Sequence, residues 1–130
     1  MKGEIMFKVM WLMKRKVGTS MEDLIRHYEN VHCELGTNLW TEKGFRPVKY
    51  IRRYLHPLAG LVPSERGEAA RASHDVAMEM WFRSKRDFEV FLGFFESDEI
   101  MSIFIEDELK FLDRERTEIF MLEEHETRFD

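Results

Sequence analysis

Apolar and polar positions alternate at both ends of this chain and recur at helical spacing between them. Phe7, Val9, Trp11 and Met13 alternate with Lys8, Met10, Leu12 and Lys14 inside the run Ile5 to Met13. Both alternating sets are largely apolar, which predicts a strand covered on its two faces. A polar turn, Lys14-Arg15-Lys16-Val17-Gly18, follows. Ser20 and Asp23 then form a capping-box-like pair before Leu24, Tyr28, Val31 and Leu35, a stripe that predicts a first helix stopping near Gly36. Phe45 to His56, rich in Val, Ile and Tyr, predicts a second strand ended by Pro57.

The segment 57–74 changes composition, with prolines, glycines and alanines, and is expected to be a loop insertion with a helical turn around Ala69 to Ala72. Long connections of this kind are either binding lids or solvated insertions. Asp75 to Phe82 predicts a third strand. One of its faces carries Val76, Met78, Met80 and Phe82, the other Asp75, Ala77, Glu79 and Trp81. Ser84 with Asp87 opens a second helical region bearing Phe88, Phe91, Leu92 and Phe95. Ser97 starts a further segment with Ile100, Ile103, Phe104 and Phe111, and Thr117 to Glu124 alternates as a fourth strand. The order predicts one α+β domain over residues 1–130, a ferredoxin-like βαββαβ sandwich with an antiparallel sheet and its helices on one face. The doubly apolar first strand, with Ala77 and Trp81 turned from the helices, leaves a second face to cover. A homodimer packed sheet to sheet, closing an eight-stranded α+β barrel, is expected to cover it.

Composition narrows the partners. The chain is 44% apolar and 13% aromatic, enough for a packed core, and its formal charge of −5 gives no broad attraction to nucleic acid or anionic lipid. The N-terminal apolar run is interrupted by Lys8 and lacks the span of a membrane helix, roughly 20 residues. Cys33 is the single cysteine, so no intrachain disulfide forms, and a reducing, cytoplasmic location is expected.

Among residues able to carry chemistry, His32 stands out. At about 100° per residue it lies roughly 50° from the centre of the first-helix stripe, while His27 lies about 90° away on the other flank. A partly buried histidine exchanges protons near neutrality; the competing reading is a boundary histidine bonded to a carbonyl. The two histidines are five residues apart, about 140° around a helix, and do not form a zinc pair. Glu29 and His32 have carboxylate–histidine spacing, yet nothing joins them, and no metal is expected. Glu79 and Asp75 share a strand face with Trp81 and are candidate carboxylates if that face lines a cavity; an ion pair of Glu79 with Arg52 or Arg53 is the alternative. Tyr50 and Tyr54 could orient an enol or carbonyl oxygen, or simply fill a strand. Cys33 is placed on the far side of the helix from the stripe. No glycine-rich phosphate loop or nucleophile elbow is present, and no cofactor is expected.

The chain resembles the EthD family in four ordered blocks. These are the opening strand into Lys14-Arg15-Lys16-Val17-Gly18-Thr19-Ser20; His27-Tyr28-Glu29-Asn30-Val31-His32, with His32 at the family's helix-end histidine; the strand Asp75 to Phe82; and Phe111-Leu112-Asp113 before a closing strand ending Leu122-Glu123-Glu124. It departs where Cys33-Glu34-Leu35 replaces the family's small residue and proline. The resemblance implies a dimeric barrel with a cofactor-free, apolar cavity, as in polyketide cyclases, decarboxylases, dehydratases and lactone isomerases. It thus implies a lyase, cyclase or isomerase acting on a hydrophobic carbonyl or aromatic compound, with His32 as acid/base. Glu79, Asp75 or a tyrosine would orient the substrate, and Trp11, Tyr28, Tyr50, Tyr54 and Trp81 would contact it. A non-catalytic accessory protein of a degradation pathway and a cofactor-independent monooxygenase are the other functions it allows.

Overall fold

Serine caps and strand alternation translate directly into the elements of the computed structural model, which describes residues 5–58 and 72–130. Strand β1 is Phe7–Arg15 and helix α1 is Met21–His27, followed without a break by a π-helical turn at Tyr28–His32 and helix α2, Cys33–Glu42. Strands β2 (Lys49–Tyr54) and β3 (Val76–Phe82) come next. Helix α3 (Lys85–Gly93), a 3-10 turn, helix α4 (Asp98–Glu108) and strand β4 (Leu112–Met121) complete the chain. Ser20, Ser84 and Ser97 each accept a backbone N–H three residues on, as their positions before helical stripes required.

The four strands form an antiparallel sheet in the order β2-β3-β1-β4. This is the ferredoxin-like α+β sandwich expected from the element order. Cross-strand partners share a face, so Val9, Trp11, Met13, Val76, Met78 and Met80 face the helices together with Tyr50 and Tyr54. Two apolar clusters fill this layer. Val9, Met80, Phe82 and Phe91 centre one, and Met13, Leu24, Tyr28 and Phe111 centre the other. Met10, Leu12, Glu79 and Trp81 point to the opposite side. Of the segment 57–74, residues 59–71 lie outside the described residues, and with them nearly all of the helical turn expected at Ala69 to Ala72.

Two expectations about the first helix are corrected. The chain stays helical past Gly36, which is buried with the Trp40 ring against it, and ends instead at Gly44, whose φ is +66°. There Phe45 N–H bonds to Trp40 O and Gly44 N–H to Thr41 O, a Schellman stop in which glycine supplies the left-handed conformation. The buried stripe is Leu24, Tyr28, His32, Gly36 and Trp40, while Val31 is exposed and Leu35 only half-buried. In an ideal helix each four-residue step drifts by about 40°, so these five positions would spread over roughly 160°. The π turn, with Cys33 N–H bonded to Tyr28 O, takes back about one residue of rotation and returns the stripe to the sheet. For the same reason Cys33 is half-buried against the second cluster and not on the far side of the helix.

Candidate functional site

The π turn sets His32 into the wall of a cavity of about 360 Å³ between the sheet and the helices. Trp11, Met78 and Met80 floor it from the sheet, Phe91 and Phe104 close it from α3 and α4, and Gly36 and Trp40 continue the His32 wall along α2. The volume is at the small end of the range for pockets that enclose an organic ligand. His32 and Glu108 meet at one end of the cavity beside Arg114, and Glu115 and Thr117 also line it. The last three come from a stretch of β4 where the pairing slips, between Leu12 opposite Glu118 and Lys14 opposite Asp113.

His32 is 8% exposed and its imidazole is held at a defined angle. Nδ1 is 2.9 Å from Oδ2 of Asp107, and the other carboxylate oxygen is 2.9 Å from Nε2 of His27. A carboxylate can only accept, so both histidines donate to it, and Nε2 of a neutral His32 is left without a proton. That Nε2 lies 3.9 Å from Oε1 of Glu108, a cavity residue, and Glu108 in turn accepts from Nε of Arg114. Rings of Tyr28, Phe104 and Phe111 pack edge-on around the imidazole. The result is an imidazole whose orientation is fixed from behind and whose other nitrogen lies beside the polar residue Glu108 of the cavity wall.

Tyr28 and Tyr50 also line the cavity, with the Tyr50 hydroxyl donating to that of Tyr28 at 3.2 Å. Burial, the largest cause, pushes both phenols above their ordinary range, so they act as donors and not as bases. Burial likewise raises the Cys33 thiol, which removes its nucleophilic form near neutrality. Trp40 presents a buried Nε1 with no acceptor among the described residues.

The other candidates are placed elsewhere. Glu79 accepts from Nη1 of Arg53 at 2.9 Å and from the Trp81 indole, on the sheet face away from the helices. The ion pair weighed for Glu79 is therefore present. Trp81 lies there between Lys8 and Lys49, whose ammonium groups sit 3.7 and 4.3 Å from its ring centre. Asp75 accepts from the Arg15 N–H at 2.8 Å and pairs with Lys14 and Arg15 where β1 ends. Tyr54 is outside the cavity and donates to Glu29. The structure thus brings together His32, Trp11, Tyr28 and Tyr50, and leaves Glu79, Asp75, Trp81 and Tyr54 apart from them.

Asp107, Glu108 and Arg114 are the residues that reading the sequence missed. One signal existed for Asp107, which falls three and four residues after Phe104 and Ile103, a carboxylate on the apolar side of its helix. Among the described residues no group of three or more His, Cys, Asp or Glu is arranged to hold a metal ion. Glu29, the residue with metal-pair spacing to His32, is held instead by Nε and Nη2 of Arg52 at 2.7 and 2.9 Å.

That Arg52 bond, aided by Tyr54, holds the Glu29 carboxyl below its ordinary value. A depressed folded value means stability that is present above the unfolded pKa and lost as pH falls through the folded one. With the carboxylate about one third exposed, screening limits the contribution to about 1 kcal/mol or less. Urea midpoints measured from pH 6 downward should therefore fall less steeply in Glu29→Gln than in the native chain. Parallel curves for the two proteins would show that the Arg52 clamp contributes nothing.

A four-stranded antiparallel sandwich with an apolar cavity, and an oriented histidine in the wall of that cavity, defines a small α+β protein with a cavity of its own. Residues 16–115 match the EthD domain, and the chain belongs to the EthD family. It is similar to the crystal structure of an ethyl tert-butyl ether D (EthD) family protein from Bacillus halodurans C-125. That match has 19% identity and a TM-score of 0.55, and covers 93% of this chain and 100% of the other. No curated protein matches the chain. No helix among the described residues is long and apolar enough to cross a membrane.

Proposed function

We propose that this protein is a cofactor-independent acid/base enzyme of lyase, cyclase or isomerase type, acting on a hydrophobic carbonyl or aromatic compound held in the cavity. One observation carries this reading: the buried His32 has Nδ1 fixed by Asp107 and Nε2 left for the cavity. In a bound carbonyl compound, Nε2 takes a proton from the carbon beside the carbonyl. The electron pair of that C–H bond moves into a new C=C bond, and the charge settles on the oxygen. Returning the proton to another carbon isomerises the compound, while attack of the enolate on a second carbonyl closes a ring. Each outcome needs one mobile proton and an apolar chamber that keeps water from the enolate.

The reading is tested by incubating the protein with 2-acetylnaphthalene in D2O and following loss of the acetyl protons by NMR. Exchange well above the buffer rate supports it. Binding without exchange would replace it with a carrier or accessory role.

The sheet face opposite the helices supports a homodimer. Met10, Leu12 and Ile51 are half-buried there and Phe120 is 42% exposed, apolar positions on three strands with Glu79 standing between Ile51 and Met10. Sedimentation at micromolar concentration is expected to give twice the chain mass, and the chain mass alone would end the dimeric reading.

A further inference from the structure

We infer that Arg114 takes the substrate's oxygen and that the polar end of the cavity selects neutral carbonyl or phenolic compounds against carboxylates. This rests on the reading of the cavity as a substrate site. Arg114 lines the cavity, and its Nε donates to Glu108. Its two Nη groups make no hydrogen bond with the described residues, so their four N–H donors, in a fixed planar fork, remain for a ligand. Glu108 ties this fork to the base, because one of its oxygens meets Arg114 while the other lies 3.9 Å from Nε2 of His32. An oxygen on the Nη groups and a carbon beside Nε2 therefore belong to one small region, as a carbonyl and its neighbouring carbon require.

Charge then decides which oxygen compounds fit. Glu108 lines this end and Asp107 lies behind the imidazole, two carboxylates against the one guanidinium of Arg114, while Glu115, which also lines the cavity, is exposed. Tyr28 and Tyr50 add no charge, and the Tyr50 hydroxyl already donates to that of Tyr28. A ligand carboxylate would add to an existing negative excess among partly desolvated groups, where like charges repel more strongly than in water. A neutral ketone or phenol adds no charge on binding. When it loses its proton the imidazole gains one, so the net charge of the loaded site is unchanged and the new anion faces Arg114. The same groups that turn away an acid thus tolerate the enolate formed in place.

Three naphthalenes of one shape test this at pH 7.5, with binding followed by calorimetry in the native chain, Arg114→Met and Arg114→Lys. They are 2-acetylnaphthalene, 2-isopropenylnaphthalene, which replaces the carbonyl oxygen by CH2, and 2-naphthoate. In the native chain the ketone should bind roughly tenfold tighter than the hydrocarbon, and the carboxylate at least about tenfold weaker than the ketone. Arg114→Met should equalise ketone and hydrocarbon, and Arg114→Lys should restore part of the difference. Equal affinity of ketone and hydrocarbon in the native chain, or a carboxylate that binds as tightly as the ketone, overturns the inference while the cavity remains a ligand site. Those two comparisons need no variant, so they stand even if Arg114→Met fails to fold. If none of the three binds, the inference and the proposed function fall together.

Discussion

Replacing His32 with alanine is expected to lower the rate of enzyme-dependent proton exchange by about 10²- to 10⁴-fold, the usual contribution of a positioned general base. The expectation follows from how few groups in the chamber can accept a proton. Tyr28 and Tyr50 are held protonated by burial. Glu108 is engaged by Arg114, and Glu115 is exposed. His27 reaches only the far side of Asp107. Alanine leaves a void beside Tyr28, Phe104 and Phe111, so the loss could be mistaken for lost shape. His32→Gln fills most of that space and can still bond to Asp107, but it cannot take a proton. The two variants should therefore bind 2-acetylnaphthalene differently and be equally slow. Exchange at the native rate in His32→Gln would remove His32 from the chemistry, whatever the alanine variant did.

How much of this was legible in the sequence depends on the range over which each feature is fixed. Strand alternation and the serine caps are local, and they placed the start of each capped helix and the order of the strands, while the first helix runs on past Gly36 and β4 begins at Leu112, five residues before Thr117. The inward aim of His32 was also legible, since any helical phase built on Leu24 and Tyr28 puts it near the stripe. Val31 and Leu35 were misassigned because the phase changes between Tyr28 and Cys33, where a π turn absorbs an extra residue that uniform rotation cannot reveal. Strand parity separated Glu79 and Trp81 from Met78 and Met80 correctly. Parity alone does not say on which side a cavity lies, and the described cavity is on the methionine side. Arg114 was beyond reach for a third reason. It sits where β4 slips against β1, and a slipped register is set by the partner strand and not by the local pattern. Asp107 is a long-range partner, 75 residues from His32, and only its place on an apolar helix face hinted at burial.

The largest effect on stability is expected at that aspartate. Asp107 is 4% exposed and bridges two imidazoles, one just before the π turn and one at its last residue, so it joins α4 to the first helix as well as orienting His32. Asp107→Ala removes two hydrogen bonds to a charged group and leaves the buried His32 donor and the half-buried His27 donor without this acceptor. A loss of about 3 kcal/mol is expected, read from urea midpoints at pH 7.5, with a fall in Tm of roughly 10 °C. Asp107→Asn separates this structural role from the chemical one. The amide keeps the shape and one acceptor oxygen, but its NH2 group faces the other imidazole nitrogen, which must then give up its proton to accept. Whichever histidine changes tautomer does so without leaving its place, and side-chain 15N NMR of the two imidazoles reports it directly. If His32 is the one that changes, its proton moves from Nδ1 to Nε2, the base is lost to the cavity, and exchange should fall as far as in His32→Gln while most of the stability remains. A loss below about 1 kcal/mol in Asp107→Ala would mean that the bridge contributes little to the fold. Unchanged exchange in an Asp107→Asn protein whose His32 carries its proton on Nε2 would mean that the free Nε2 was never the base.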